Sequence, residues 1–151
     1  MTFRSGGPCV VCHMTAGHSL KIDPNTYVQV CAYCHPSELG VTLTGSNFQD
    51  YFVKPQSEAF QDALLLAETL LQSRYNITYD PANAPYFFES SSGQAVTDWT
   101  RGGTLNNQLA RKLMGACFNI NLLHGDPAAY AHARSYTRRL IYDTIDLLDD
   151  E

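Results

Sequence analysis

Two five-residue stretches carry the residue types that do chemistry: Cys9-Val10-Val11-Cys12-His13 and Cys31-Ala32-Tyr33-Cys34-His35. Two thiols three positions apart can add across the two vinyl groups of one haem, each S–H closing one thioether bond. The next residue is then placed under the iron, where a His imidazole serves as proximal axial ligand. On this reading Cys9, Cys12, Cys31 and Cys34 hold two haem c groups, and His13 and His35 are the proximal ligands. The same four thiols admit a second chemistry. Eighteen residues lie between Cys12 and Cys31, a spacing that also suits a four-cysteine zinc ribbon. What separates the two is the His after each pair. With 5 His in 151 residues, chance puts His at both positions in roughly one sequence in a thousand, and zinc needs neither once four thiolates are present. A pair of disulfides also leaves both His unexplained.

Three further His are candidates for the opposite, distal face of an iron. His18 sits in a Gly17-His18-Ser19-Leu20 turn between the two motifs, in the segment that must wrap the haems. His132 falls on the flank opposite the apolar stripe of an expected helix, where it is either solvated or turned to a haem. His124 closes the preceding helix, where the dipole and the last carbonyls also favour a His. Two bis-His sites need two of these three, so the chain can supply both. Met14 follows the first motif and points away from the iron its neighbour binds; Met114 is expected to pack within a helix. Cys117, the odd fifth cysteine, falls on an apolar helix face and is expected to be a buried free thiol. No Gly-rich phosphate loop, no Ser/His/Asp order and no paired catalytic carboxylates stand out. With both iron faces filled by His, no position is open to substrate, and an enzyme is not expected. A haem lacking one distal His would instead have an open site suited to reduction chemistry or gas sensing.

The elements that position these residues divide the chain. Residues 1–54 are rich in Cys, Gly, Pro, Thr and Ser and lack sustained helical periodicity, so apolar burial alone could hardly hold them and a covalent staple is needed. Residues 55–151 read as helical. Phe60, Ala63, Leu64, Ala67, Leu70 and Leu71 recur at three- and four-residue steps after Ser57, a possible N-cap, in a helix fading near Tyr75. A loop of about thirty residues follows, with aromatics Tyr79, Tyr86, Phe87, Phe88 and Trp99 that argue for packing onto the helical core. A second helix after Thr104 carries Leu105, Leu109, Leu113, Ala116, Cys117, Ile120 and Leu123, and ends at Gly125. A third begins at Asp126-Pro127, with Asp as N-cap and Pro at the first helical position. Its stripe is Tyr130, Ala133, Thr137, Leu140, Ile141, Thr144, Ile145 and Leu148. The short connection makes the last two an antiparallel hairpin. The expected fold is mainly α: an irregular dihaem module packed on about three principal helices, together one compact unit.

Composition narrows the partners. The chain is 44% hydrophobic, enough for a core, and its net charge of −5 disfavours nucleic acid, whose phosphates call for a basic surface. No apolar run approaches the ~18 residues of a membrane span. Five acids fall within the last nine residues (Asp143, Asp146, Asp149, Asp150 and Glu151). They form either a solvated tail or a docking patch for a basic redox partner. Behind Met1-Thr2-Phe3-Arg4 there is no apolar stretch of the signal-peptide kind. Covalent haem attachment normally takes place outside the cytoplasm, so either the chain is trimmed from a longer one or the haem reading fails.

Larger blocks resemble a known family. Cys9-Val-Val-Cys-His-Met14, Gly17-His18-Ser-Leu and Cys31-Ala-Tyr-Cys-His35 resemble the closing haem motifs of multihaem c-type cytochromes from metal-reducing bacteria of the Geobacter and Desulfuromonas kind. Met114-Gly-Ala-Cys-Phe-Asn-Ile-Asn-Leu-Leu, Asp126-Pro-Ala-Ala-Tyr-Ala-His132 and Tyr136-Thr-Arg-Arg-Leu-Ile-Tyr-Asp-Thr-Ile-Asp-Leu-Leu-Asp-Asp150 resemble their helical C-terminal region. The resemblance implies electron transfer in the periplasm or outside the cell, through bis-His haems with His18, and also His132, as distal ligands. It further implies redox partner proteins, other multihaem cytochromes among them, and either a homo-oligomer or a piece of a longer chain.

Overall fold

The structure, a computed structural model, describes residues 7–13 and 22–150, and the chain divides into two units, Met1–Gln56 and Ser57–Glu151. His18 and Met14, with the Gly17-to-Leu20 turn, lie outside the described residues. In the first unit, helix α1 (Gly7–His13) carries the first motif. Helix α2 (Pro24–Thr26) runs without a break into a π-helical turn, Tyr27–Cys31. Asp23 starts α2: its Oδ1 accepts from the Thr26 N–H at 2.9 Å, and the Thr26 hydroxyl reaches back to the Asp23 N–H at 3.5 Å. Each side chain thus satisfies an otherwise unpaired backbone donor. After Cys31 the chain completes one more turn, with the N–H groups of Cys34 and His35 both donating to the Cys31 carbonyl (3.1 and 2.9 Å).

Strands β1 (Ser37–Glu38) and β2 (Val41–Thr42) then pair antiparallel. Leu39 and Gly40 between them both have positive φ (50° and 80°), as a two-residue hairpin turn requires, and Leu39 is 93% exposed. A second π-helical turn, Gln49–Val53, follows. Among the described residues the core here is small: Tyr27, Leu43 and Phe48 are buried, with Ile22, Cys31, Ala32, Phe52 and Val53 packed against them. The sequence suggests an irregular segment, whereas the structure holds several helical turns, each too short to display an apolar period.

The second unit is built on helix α3 (Lys54–Tyr75), whose first turn holds the division between units and which buries Phe60, Leu64, Ala67 and Leu71. It starts three residues before Ser57 because it continues directly from the π-helical turn, and no N-cap is required there. The expected long loop is partly a hairpin. Strands β3 (Ile77–Tyr79) and β4 (Phe87–Glu89) pair antiparallel with Thr78 opposite Phe88. Ile77 and Phe87 enter the main core, and Tyr79 and Trp99 pack against it, so three of the five aromatics of this segment serve the helical core, while Tyr86 is 38% exposed. Arg101 grips both oxygens of Glu89, with Nη2–Oε2 at 2.6 Å, and Asp98 takes the N–H groups of Thr100 and Gly102. Together these contacts order the return to the next helix.

Helix α4 (Asn107–His124) is capped by Asn106, whose side-chain oxygen accepts from Gln108 and Leu109 N–H. Ala110, Leu113, Ala116, Cys117, Ile120 and Leu123 are its buried face. Leu109, expected on that face, is 43% exposed, and Met114 is 47% exposed rather than packed. Helix α5 spans Arg134–Asp149, not the stretch from Asp126 onward that the sequence suggests. Asp126 makes a side-chain turn with Ala128 N–H (3.0 Å), and turns closed by Ala129 N–H to Asp126 and His132 N–H to Ala128 follow. The backbone becomes left-handed at Ala133 (φ 47°), and only then does the helix begin. The short Asp126 side chain competes for local N–H groups, which favours turns over a helix interior. Tyr130, Ala133 and His132 are therefore not on helix α5, and Ala133 is exposed.

Helices α4 and α5 form the expected antiparallel hairpin. Leu123 at the end of α4 shares a cluster with Ile141 midway along α5, while Leu113, Ala116 and Cys117 share one with Leu148 near its end. Asn119 Nδ2 donates to the Thr144 hydroxyl at 3.0 Å between them. The architecture is mainly α, with five α-helices and two small sheets among the described residues.

Leu71 is fully buried and Leu65 is 62% exposed on the same helix. Leu71→Ala should cost about 2–5 kcal/mol of unfolding free energy, and Leu65→Ala no more than about 0.5 kcal/mol, measured by denaturant titration. Glu89 is held below its ordinary value of 4.5 chiefly by its hydrogen bond from Arg101. Because the folded value is depressed, its stabilisation is present above the ordinary value and fades as pH falls through the lowered one. Glu89→Gln should therefore lower stability at neutral pH and reduce its acid dependence, measured as melting temperature between pH 7 and pH 3.

Candidate haem-attachment site

Each motif occupies one helical turn, and this geometry turns spacing into a site. Residues three apart on a helix are neighbours on one face. Cys9 and Cys12 have that relation in α1, and Cys31 and Cys34 have it where the Cys34 N–H bonds the Cys31 carbonyl. Each pair therefore presents two thiols side by side, with His13 or His35 next in the chain. All five cysteines are free; Cys9 and Cys34 are exposed, Cys12 and Cys31 partly buried. A macrocycle with two reactive edge groups and an iron needing an axial nitrogen matches this donor set, and the residues fit haem c.

The two motifs are tied together. The Thr26 hydroxyl, buried at the end of α2, lies 3.3 Å from the Cys12 carbonyl and so links α1 to the turn leading into Cys31. Burial pushes the Cys31 thiol up, and charge on the nearby Cys12 adds to the shift. Cys12 thus lies near enough to Cys31 to act on it. Among the described residues, however, no three of the Cys, His, Asp and Glu side chains converge as a metal-binding set. The four-thiolate arrangement that spacing permits is not formed.

His35 is held at both ends. The Tyr27 hydroxyl donates toward its carbonyl at 3.0 Å and toward that of Leu43 at 3.1 Å. Its ring lies against Phe52, with centroids 4.7 Å apart. Tyr27 and Phe52 carry no signal in the motif itself; only their proximity in sequence to His35, amid few other aromatics, could have pointed to them.

The distal candidates differ in what holds them. His124 Nε2 lies 2.5 Å from Glu68 Oε1, across from α3, and the ring stacks near Tyr79 at 4.8 Å. That nitrogen is committed to a carboxylate. Tyr79 in turn donates to Asn121 Oδ1 at 3.0 Å, and burial, then Glu68 and Tyr86, raise its phenol. His132 lies on the turn before α5, half exposed, with Nδ1 2.9 Å from Asp126 Oδ2. The His132 bond is the main cause holding the Asp126 carboxyl below its usual range. An ionised carboxylate can only accept, so Nδ1 donates and, in neutral imidazole, the lone pair belongs to Nε2. Metal-ligating His are commonly oriented in this way. Cys117 is 2% exposed and its thiol is pushed up to about 12 by burial, as expected for an inert core thiol.

No protein-family model and no solved structure matches the chain. Among curated proteins it is similar to the C-type polyheme cytochrome OmcC of Geobacter sulfurreducens, at 33% identity over 97% of this chain and 20% of that protein. It is likewise similar to the C-type polyheme cytochrome OmcB of the same species, at 32% identity over 97% of this chain and 21% of that one. The chain thus spans about a fifth of the length of the curated relatives it matches. Across nearly its whole length it is similar to a segment of these polyheme cytochromes.

Proposed function

We propose that this chain is a dihaem electron-transfer module. The observation that carries the reading is the helical turn at each motif, which sets two thiols on one face with a His directly after them. Cys9 and Cys12 would hold one haem and Cys31 and Cys34 the other, with His13 and His35 as proximal ligands. When bound, each haem supplies a one-electron couple between ferric and ferrous iron. The chain's own contribution is to fix the attachment points, provide axial imidazoles and set burial and charge around them. The link from Thr26 to Cys12, and the nearness of Cys12 to Cys31, support two closely placed groups, as rapid transfer between them requires.

For the distal faces the reading takes His18 and His132. His124 and His132 each pair one ring nitrogen with a carboxylate, Glu68 and Asp126, and keep the other, so these bonds orient both rings and do not rank them. With both faces of both irons filled, the chain carries electrons rather than acting as an enzyme. Its relatives' description as polyheme cytochromes supports that role. Its partners are redox proteins, including other multihaem cytochromes, and its place is the periplasm or the cell exterior, where covalent haem attachment is made. Among the described residues no helix is long and apolar enough to cross a membrane. The acidic end of α5 is one docking candidate, although Asp143 and Asp149 already pair with Arg139 and Arg74.

Should His18 or His132 fail to ligate, one iron would have an open face and could bind small ligands.

A pyridine haemochrome spectrum with intact mass should give two covalent haems, with a Soret band that survives acid-acetone extraction. A zinc protein would give neither. In the loaded protein thiol titration should find one reactive cysteine, Cys117, and only after unfolding; finding four or five thiols ends the haem reading. His18→Ala and His132→Ala should each convert one haem from low-spin to high-spin, with carbon monoxide binding on reduction. An unchanged low-spin spectrum in either variant removes that His from the ligand set.

A further inference from the structure

The second motif is held more elaborately than attachment requires. Tyr27 and Phe48 are 2% and 1% exposed and their rings meet at 4.8 Å; Phe48 stacks on Phe52 at 5.4 Å, and Phe52 lies against the His35 ring at 4.7 Å. The circuit closes through the Tyr27 hydroxyl, 3.0 Å from the carbonyl of the same His35. One end of the cluster therefore grips the backbone of the His and the other end flanks its imidazole. A buried tyrosine hydroxyl must find an acceptor, and here the two acceptors are His35 and Leu43, the residue after β2. The motif is thereby tied to the strand pair that follows it.

We propose that Tyr27, Phe48 and Phe52 are positioning residues that fix the depth and ring orientation of His35 as an iron ligand. The proposal rests on the reading of His35 as a proximal ligand. Partners outside the ligand set commonly orient a metal-binding imidazole, and a ligand whose rotamer is locked by packing holds its geometry through a redox cycle. Here the lock comes from ring faces and a carbonyl contact.

The test uses the full chain with haem attached. Phe52→Leu keeps apolar bulk and removes the ring beside the imidazole. Tyr27→Phe keeps the ring and removes the hydroxyl. His35→Met identifies which low-spin electron paramagnetic resonance signal, and which midpoint potential, belongs to this haem. Both positioning variants should retain two covalent haems by mass, yet displace the largest g value and midpoint of the His35 haem while leaving the other haem unchanged. A merely structural role would lower the melting temperature without moving either spectroscopic quantity, and that result overturns the proposal. Equal shifts at both haems also overturn it. Should Phe52→Leu fail to accumulate, Tyr27→Phe carries the test alone, and an unmoved His35 signal there ends the idea. Absence of covalent haem from the unsubstituted protein instead defeats the underlying reading of the site.

Discussion

The first unit depends on one constraint: among its described residues three buried apolar side chains, Tyr27, Leu43 and Phe48, must organise all the rest. So small a core contributes little against the conformational entropy of that much chain. What compensates is local: the reciprocal cap at Asp23 and Thr26, the paired N–H bonds onto Cys31, and the Tyr27 hydroxyl bridging two carbonyls. The Cys31 bonds and one arm of the Tyr27 contact end on motif residues, and Thr26 of the cap also reaches the Cys12 carbonyl. Cross-linking through two cysteine pairs would stabilise the same turns that these bonds define, so attachment and folding favour one geometry.

The second unit follows the ordinary economy of helices. Its apolar faces on α3, α4 and α5 are continuous enough to bury Leu71, Ile120 and Leu148 completely, and the β3–β4 hairpin covers part of that core with Ile77 and Phe87. Polar groups inside it are matched: among the described residues no buried side-chain nitrogen or oxygen lacks a partner. Thr137 and Thr144 on the buried face of α5 meet this demand with hydroxyls directed to His132 and Leu140 carbonyls. This unit has no comparable need of a staple.

The motifs were legible because their chemistry demands fixed types at fixed spacing, and α3 and α4 because a long apolar period is hard to produce otherwise. The β3–β4 hairpin was not, since three-residue strands are too short to show alternation, and its ends are set by Asn76 and Tyr86 at positive φ (55° and 75°). The start of α5 was misjudged for a different reason. Asp-Pro suits a helix start and a turn equally, and what decides is a contact from His132, six residues on, that no local pattern contains. The ring circuit around His35 was hidden for the same cause: Tyr27, Phe48 and Phe52 meet only after the chain has folded back.

Burial divides the cysteines into two populations. Cys9 and Cys34 are open to solvent and Cys12 and Cys31 partly so, while Cys117 is enclosed between helices and keeps its proton far above neutral pH. Maturation of such a chain faces a sorting problem, because five thiols must be divided into two pairs and a bystander. Here the helical unit solves it by topology. Once α4 has docked, an oxidant or a ligation apparatus meets four sulfurs arranged as two pairs, and the odd one has left the competition.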